Sequence, residues 1–126
     1  MAKKVADLVA EAKQRIENLS VDQVGAELES GDAILIDVRE QNERDENGTI
    51  AGSVHAPRGM LEFFADPSSP YHRPEFDPNR RIILHCAAGG RSAMGADALQ
   101  QMGYTSVAHL DGGYTAWTAA GRPVVK

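Results

Sequence analysis

The chain has 126 residues, a formal net charge of −5 at pH 7 and a single cysteine. This length fits one compact domain that can bury a core without disulfides or a structural metal. One cysteine excludes an internal disulfide and the absence of a CxxC pair argues against structural zinc, so the sequence indicates a reducing compartment. The acidic balance disfavours nucleic acid as a partner.

The first 20 residues carry charges every few positions. They therefore lack the apolar stretch of a secretory signal or a membrane span, and we expect a cytoplasmic protein without a membrane partner. One face of this segment is apolar at helical spacing, which predicts an amphipathic helix over residues 5–19. That face consists of Val5, Leu8, Val9, Ala12, Ile16 and Leu19. We expect residues 1–19 to be a helical extension packed on a domain formed by 20–126; the alternative is that the apolar stripe serves as a dimer contact or as a surface-binding helix.

Helices and strands alternate along the rest of the chain. Ser20 followed by Gln23 is a capping-box signal for a short helix that ends at Gly31. Apolar runs predict strands at 33–38, 53–56, 81–86 and 106–110. A helix or turn is predicted at 41–48, and helices are predicted at 61–65, 92–102 and 113–120. The alternation predicts an α/β domain with a mostly parallel β-sheet flanked by helices on both faces.

The single cysteine, Cys86, lies between a predicted strand and a predicted helix. The first N–H groups of a helix lack intrahelical partners and point toward such a position, where they stabilise a thiolate. Gly89 and Gly90 let successive backbone N–H groups turn around a small anion, and Arg91 adds a fixed positive charge. A buried free cysteine is commonly only a small hydrophobic residue, but this combination indicates a nucleophile.

Four segments follow one another in order: ILIDVRE (34–40), GTIAGSVHAP (48–57), IILHCAAGGRS (82–92) and HLDGGYTAWTAAGRPV (109–124). Together they resemble the rhodanese family of sulfurtransferases. The resemblance implies a single rhodanese-like domain with the cysteine loop at the carboxyl edge of the sheet, where open α/β sheets bind ligands. The active loop of that family has six residues, as Cys86–Arg91 has, whereas the related phosphatase loops, CxxxxxR, are one residue longer. The shorter loop favours a sulfur atom over a phosphoryl group.

The resemblance also implies a mechanism. Cys86 attacks the outer sulfur of thiosulfate or a persulfide donor, keeps that sulfur as a persulfide, and gives it to a thiol or to cyanide. Loop N–H groups stabilise the persulfide and arginines hold the anionic donor. The residues assigned to substrate binding are Arg91, Arg58, Ala87, Ala88, Gly89, Gly90 and Ser92. The implied partners are a small-molecule sulfur donor and a thiol acceptor, protein thiols included. No cofactor and no metal are implied, and we expect a monomer or a weak homodimer.

Other polar and aromatic residues have structural interpretations. Asp37 is predicted to satisfy loop N–H groups and Arg39 to pair with a carboxylate. His85 points away from Cys86 by strand alternation, so it is predicted to be a buried, hydrogen-bonded histidine and not a base. Three further histidines lack metal-ligand spacing: His55, His72 and His109. Residues of the proline-rich segment 57–80 either line the entrance or form a satellite cluster: Phe63, Phe64, Tyr71 and His72.

Two other functions stay open from the sequence. The first is a phosphatase or arsenate reductase that uses the same thiolate, although a reductase cycle would require an external second thiol. The second is a noncatalytic rhodanese-like module, whose pocket or N-terminal helix recruits a protein partner.

Overall fold

A computed structural model describes residues 2–126. Within these residues, the helices are α1 Val5–Arg15, α2 Val21–Ser30, α3 Gln41–Asn47, α4 Leu61–Ala65, α5 Gly90–Gln101 and α6 Gly113–Ala119, with a 3₁₀ helix at Arg58–Met60. The strands are β1 Glu17–Leu19, β2 Ala33–Asp37, β3 Val54–His55, β4 Arg81–His85 and β5 Val107–Leu110. None of the described helices is both long and apolar enough to cross a membrane.

The strands of the described chain form one five-stranded sheet in the order β1-β5-β4-β2-β3, and all pairs are parallel. Apolar clusters cover both faces. Alternation along β4 sends Ile82 and Leu84 into the cluster with α1, α4 and α5, while Ile83 joins the cluster with α2 and α6. The predicted α/β domain, with a parallel sheet flanked by helices on both faces, is confirmed.

Helix α2 shows how the sequence directs local structure. Ser20 Oγ accepts a hydrogen bond from the Gln23 N–H at 3.2 Å, and Gln23 Oε1 accepts one from the Ser20 N–H at 2.8 Å. The helix ends at Gly31, whose φ of +80° is a left-handed conformation that suits glycine. The predicted capping box and stop are therefore confirmed.

Residues 17–19 differ from the sequence-based expectation. A helix over 5–19 is wrong beyond Arg15, because Ile16 is extended and β1 pairs with β5. Ile16 and Leu19 keep helical spacing in the sequence, yet they are buried in the clusters on opposite faces of the sheet. The division into an extension of residues 1–19 and a domain of residues 20–126 stays a prediction, although residues 17–19 form a strand of the domain's sheet.

Two further features position the site. Cys86 follows β4 directly, so it lies at the carboxyl edge of the sheet. Helix α1 packs against α5, where Arg15 Nη2 and Asp97 Oδ2 are 2.7 Å apart, and so the N-terminal helix lies on the same side as the helix that follows Cys86.

Candidate active site

The loop after β4 surrounds the sulfur of Cys86, whose surface is 1% exposed. Its Sγ accepts hydrogen bonds from the backbone N–H groups of Gly89, at 3.1 Å, and Ser92, at 3.4 Å. Gly89 has a φ of +112°, a conformation that a residue with a Cβ rarely adopts. This turn aims backbone dipoles at the sulfur, which is the arrangement that stabilises a thiolate.

The start of α6 holds the loop from behind. The N–H of Tyr114 donates to the Cys86 carbonyl at 2.8 Å, and the N–H of Thr115 donates to the Ala87 carbonyl at 3.0 Å. A Cβ on Gly113 would lie 2.6 Å from the Ala87 oxygen, so only glycine permits this approach. With its carbonyls bound on the outer side, the loop keeps its N–H groups for the sulfur.

A cavity of about 350 Å³ opens onto Cys86. It is lined by Val5, Val9, Cys86, Ala87, Ala88, Gly90, Arg91 and Met94. The loop residues were predicted, but Val5, Val9 and Met94 were missed, because their position depends on how α1 packs against α5. The apolar stripe of α1 was the available signal. Among the described residues, the lining does not include the aromatic residues of segment 57–80.

Arg91 reaches the cavity with its charge already paired. Its Nη1 and Nη2 lie 2.7 and 2.9 Å from the two carboxylate oxygens of Glu43 on α3. The hydrogen bond from Arg91 is the main cause that lowers the pKa of Glu43 to about 2, and the same bond raises the pKa of Arg91. Both groups are therefore ionised at neutral pH, and an anionic ligand would compete with Glu43 for the guanidinium.

A second set of polar side chains lies behind the sulfur, away from the cavity. Ser92 Oγ is 3.5 Å from Cys86 Sγ and 2.9 Å from His109 Nδ1. His109 Nε2 is in turn 2.8 Å from Asn18 Oδ1. Sequence reasoning missed His109 and Asn18, since β1 was not predicted; the available signal was a histidine within a short apolar strand.

A family model described as Rhodanese-like domain matches residues 20–120. The chain belongs to the rhodanese-like domain family. A sulfurtransferase of Allochromatium vinosum is 30% identical over 94 residues, which cover 75% of this chain and 79% of that protein. Thiosulfate sulfurtransferase GlpE of Pseudoalteromonas translucida is 31% identical over 103 residues, covering 82% of this chain and 90% of that protein. These relatives support sulfur transfer as the general chemistry of this rhodanese domain.

A similar solved structure comes from Rhodopseudomonas palustris. It superposes with a TM-score of 0.93 at 39% identity, covering 98% of this chain and 96% of the neighbour. That protein is described as one of unknown function and a possible tyrosine phosphatase. The likeness over nearly the whole chain includes α1, which lies outside residues 20–120.

Arg58 lies apart from the other predicted site residues of this rhodanese domain. Its Nη1 is 2.7 Å from Glu62 Oε1, and its Cδ packs near Gly95 on α5. Arg58 is not among the described residues that line the cavity. Its role in donor binding stays a prediction.

Asp37 and Arg39 form a buried ion pair under the sheet edge. Arg39 is 1% exposed, Asp37 is fully buried, and Arg44 adds a contact of 2.8 Å to Asp37 Oδ2. Burial alone would raise the pKa of Asp37, but the hydrogen bonds from Arg39 and the nearby His85 outweigh it and hold the pKa at about 2. The structural interpretation of these residues is supported, since their charges are satisfied within the fold.

His85 lies on the opposite face of the sheet from the Cys86 side chain. Its ring stacks on Tyr114, and its Nδ1 is 3.3 Å from the carbonyl of Cys86. Burial lowers the pKa of His85, so the ring is neutral at pH 7. The prediction of a buried, hydrogen-bonded histidine is confirmed, and its contact with Cys86 is to the backbone only.

Proposed function

We propose that this rhodanese-domain protein is a single-domain sulfurtransferase that carries sulfane sulfur as a persulfide on Cys86. Two backbone N–H groups aimed at one buried sulfur, within the six-residue loop Cys86–Arg91, carry this proposal. The donor is thiosulfate or a persulfide, and the acceptor is a thiol, or cyanide in an assay. The sulfurtransferases among the relatives support the reaction, and the name of one of them supports thiosulfate.

In the first half of the reaction, the thiolate of Cys86 attacks the outer sulfur of the donor. A new S–S bond forms while the old bond breaks, and its electron pair leaves with the departing group, which is sulfite when the donor is thiosulfate. The transferred sulfur then extends into the cavity, where we assign the N–H groups of Ala87, Ala88 and Gly90, together with those that hold Sγ, to stabilise its charge.

In the second half, an acceptor thiolate attacks the outer sulfur and Cys86 leaves as a thiolate. Arg91 is assigned to bind an anionic donor after exchange with Glu43, while Val5, Val9 and Met94 offer apolar contacts to the body of an acceptor.

A cytoplasmic location fits this chemistry, because a reducing compartment keeps the single thiol free. A monomer, or a weak homodimer, suffices, since the described chain supplies the loop and the cavity walls together.

The test is intact-protein mass spectrometry of the wild type and Cys86→Ser after incubation with thiosulfate or a low-molecular-weight persulfide. Since Cys86 is the only cysteine, the wild type should gain the mass of one sulfur atom and the variant none. Cyanide should then restore the original mass and release thiocyanate. The absence of any gain with both donors would contradict the proposal.

A phosphatase is the second candidate, favoured by the description of the Rhodopseudomonas palustris neighbour. The six-residue loop opposes it, because a phosphoryl group needs a wider ring of N–H groups than one sulfur atom. Release of phosphate from an aryl phosphate by the wild type, abolished in Cys86→Ser and accompanied by no sulfur loading, would favour the phosphatase.

A further inference from the structure

A continuous hydrogen-bonded chain runs from the sulfur of Cys86 to the edge of the sheet. Its links are Cys86 Sγ to Ser92 Oγ, 3.5 Å, Ser92 Oγ to His109 Nδ1, 2.9 Å, and His109 Nε2 to Asn18 Oδ1, 2.8 Å. Cys86, Ser92 and His109 are all at most 1% exposed. Of these four residues only Cys86 lines the cavity, so a donor in the cavity contacts the sulfur and not Ser92, His109 or Asn18.

Asn18 fixes the direction of every proton in this chain. Its Nδ2 donates to the carbonyls of Lys13, at 2.9 Å, and Ile16, at 3.2 Å, so its Oδ1 is the atom that faces His109. Nε2 of His109 must therefore carry the hydrogen, and Nδ1 of the neutral ring is an acceptor. β1 and β5 place these two residues directly opposite each other in the sheet.

The orientation of Ser92 follows from that of the ring. Its single hydroxyl proton goes to His109 Nδ1, which is closer than the alternative acceptor, the Gly89 carbonyl at 3.3 Å. The oxygen of Ser92 is then left to accept a hydrogen bond from the thiol of Cys86. In this state Cys86 Sγ, Ser92 Oγ and both ring nitrogens of His109 have hydrogen-bond partners.

We propose that Ser92 and His109 form a proton relay that creates and later quenches the Cys86 thiolate. The thiol proton moves to Ser92 Oγ while the hydroxyl proton of Ser92 moves to His109 Nδ1, which gives a thiolate and an imidazolium. The two hydrogen bonds between these residues then point the opposite way: His109 donates to Ser92, and Ser92 donates to the sulfur, while His109 Nε2 still donates to Asn18 Oδ1. No bond is lost and no net charge enters the buried chain, so both states are satisfied.

The use of the relay in catalysis rests on the proposed sulfur transfer. Proton withdrawal prepares the thiolate that attacks the donor. When an acceptor takes the outer sulfur, Cys86 Sγ becomes the leaving group, and the proton stored on His109 returns to it through Ser92. The relay thus ends each cycle in its starting state. His109 is a positioning residue in this scheme, because it acts on the sulfur through Ser92.

The surroundings of His109 keep its ring neutral at pH 7, so that Nδ1 is free to accept a proton. Burial is the main cause that lowers the pKa of His109 to about 4; Asp111, after β5, raises it and Lys13 on α1 lowers it. Lys13 and Asp111 pair with each other at 3.0 Å, and the neighbouring elements β1 and α5 contribute the uncharged Asn18 and Ser92. The ring is therefore neutral at pH 7 while Cys86 is a thiol, and the negative charge of the new thiolate stabilises the imidazolium.

The experiment measures the rate at which iodoacetamide alkylates Cys86 as a function of pH, followed by intact mass. Alkylation reports the thiolate whether or not sulfur transfer occurs. In Ser92→Ala and His109→Gln, the pH midpoint of alkylation should rise by about 1 unit relative to the wild type, which is about a tenfold lower rate on the acidic side. The rates should converge at high pH. His85→Gln is the matched control, because it replaces an equally buried histidine outside the relay.

Asn18→Asp should shift the pH midpoint of alkylation in the opposite direction. Asn18 is exposed on the edge strand β1, so the variant is expected to fold. A carboxylate facing His109 Nε2 favours the imidazolium, so the alkylation midpoint should fall below that of the wild type. Unchanged midpoints in Ser92→Ala, His109→Gln or Asn18→Asp, or a rate lowered by one factor at every pH, would overturn the relay. Sulfur loading of the wild type is measured in parallel: no loading with shifted midpoints refutes only the sulfur transfer, whereas loading with unshifted midpoints refutes only the relay.

Discussion

Arg91 and Glu43 form an ion pair at the cavity, and we expect this pair to control how an anionic donor reaches Cys86. Glu43→Gln keeps the shape and the hydrogen bond to the Glu40 N–H but leaves the charge of Arg91 without a counter-ion. We expect the KM for thiosulfate to fall about threefold to tenfold with little change in kcat, and the effect to shrink at high salt, because screening weakens partly exposed charges. Steady-state kinetics at two ionic strengths measures this. Glu46→Gln, exposed on the same helix, is the control, and an unchanged or higher KM in Glu43→Gln would contradict the expectation.

Asp37 is the residue on which the buried arginine depends. Asp37→Asn preserves the shape but leaves the guanidinium of Arg39, 1% exposed, with no carboxylate partner. Because an uncompensated buried charge is costly, we expect the free energy of unfolding to fall by about 3–5 kcal/mol. Urea denaturation measures this loss, and Asp45→Asn, an exposed site on α3, is the matched control. A loss in Asp37→Asn no larger than that of the control would show that Arg39 finds other compensation.

At the scale of elements, α1 forms one wall of the cavity in front of Cys86. Val9→Glu replaces apolar lining with a carboxylate beside an approaching thiolate, so we expect kcat/KM for a thiol acceptor to fall about tenfold. Rates with cyanide should fall less, because this small acceptor needs no apolar wall. Ala10→Glu, exposed and outside the cavity lining, adds the same charge to the same helix and should have little effect. Equal losses in both variants would assign the effect to net charge and not to the wall.

The elements also show what the sequence could and could not predict. β2 and β4 were predictable because their apolar runs are buried on both faces, and α2 because its cap is local. The loop at Cys86 was predictable since glycines and a helix start lie beside it in the sequence. β1 was not, because Leu19 continues the helical spacing of the apolar stripe and residues 17–19 form a strand only through pairing with β5. The contact of Asn18 with His109 depends on that pairing, and the hydrogen bonds from His109 through Ser92 to Cys86 were therefore not predictable either.

At the scale of the whole molecule, the site joins segments that are far apart in the sequence. α1 supplies the cavity wall, α3 the partner of Arg91, the β4–α5 junction the proposed nucleophile Cys86, and β1 with β5 the residues Asn18 and His109. Global unfolding therefore disrupts the cavity, the Arg91–Glu43 ion pair and the hydrogen bonds of Ser92 and His109 together. The stability of the fold at a given pH sets the pH range in which the reaction can be measured.

Two buried histidines make this stability sensitive to mild acid, above the pH range in which the carboxylates are protonated. Burial lowers the pKa of His85, and it lowers that of His109 from 6.5 to about 4. Between pH 6.5 and pH 4 the imidazole of His109 binds a proton in the unfolded state but not in the folded state. The free energy of unfolding is therefore at its full value above about pH 6.5 and falls as the pH is lowered to about 4. The loss due to His109 is about 3 kcal/mol. Asp37, with a pKa of about 2, adds a further loss only below about pH 4. Urea denaturation between pH 7.5 and pH 4.5 should therefore show a falling free energy of unfolding in the wild type and a shallower fall in His109→Gln. An equal pH dependence in the two proteins would mean that His109 is protonated alike in the folded and unfolded states.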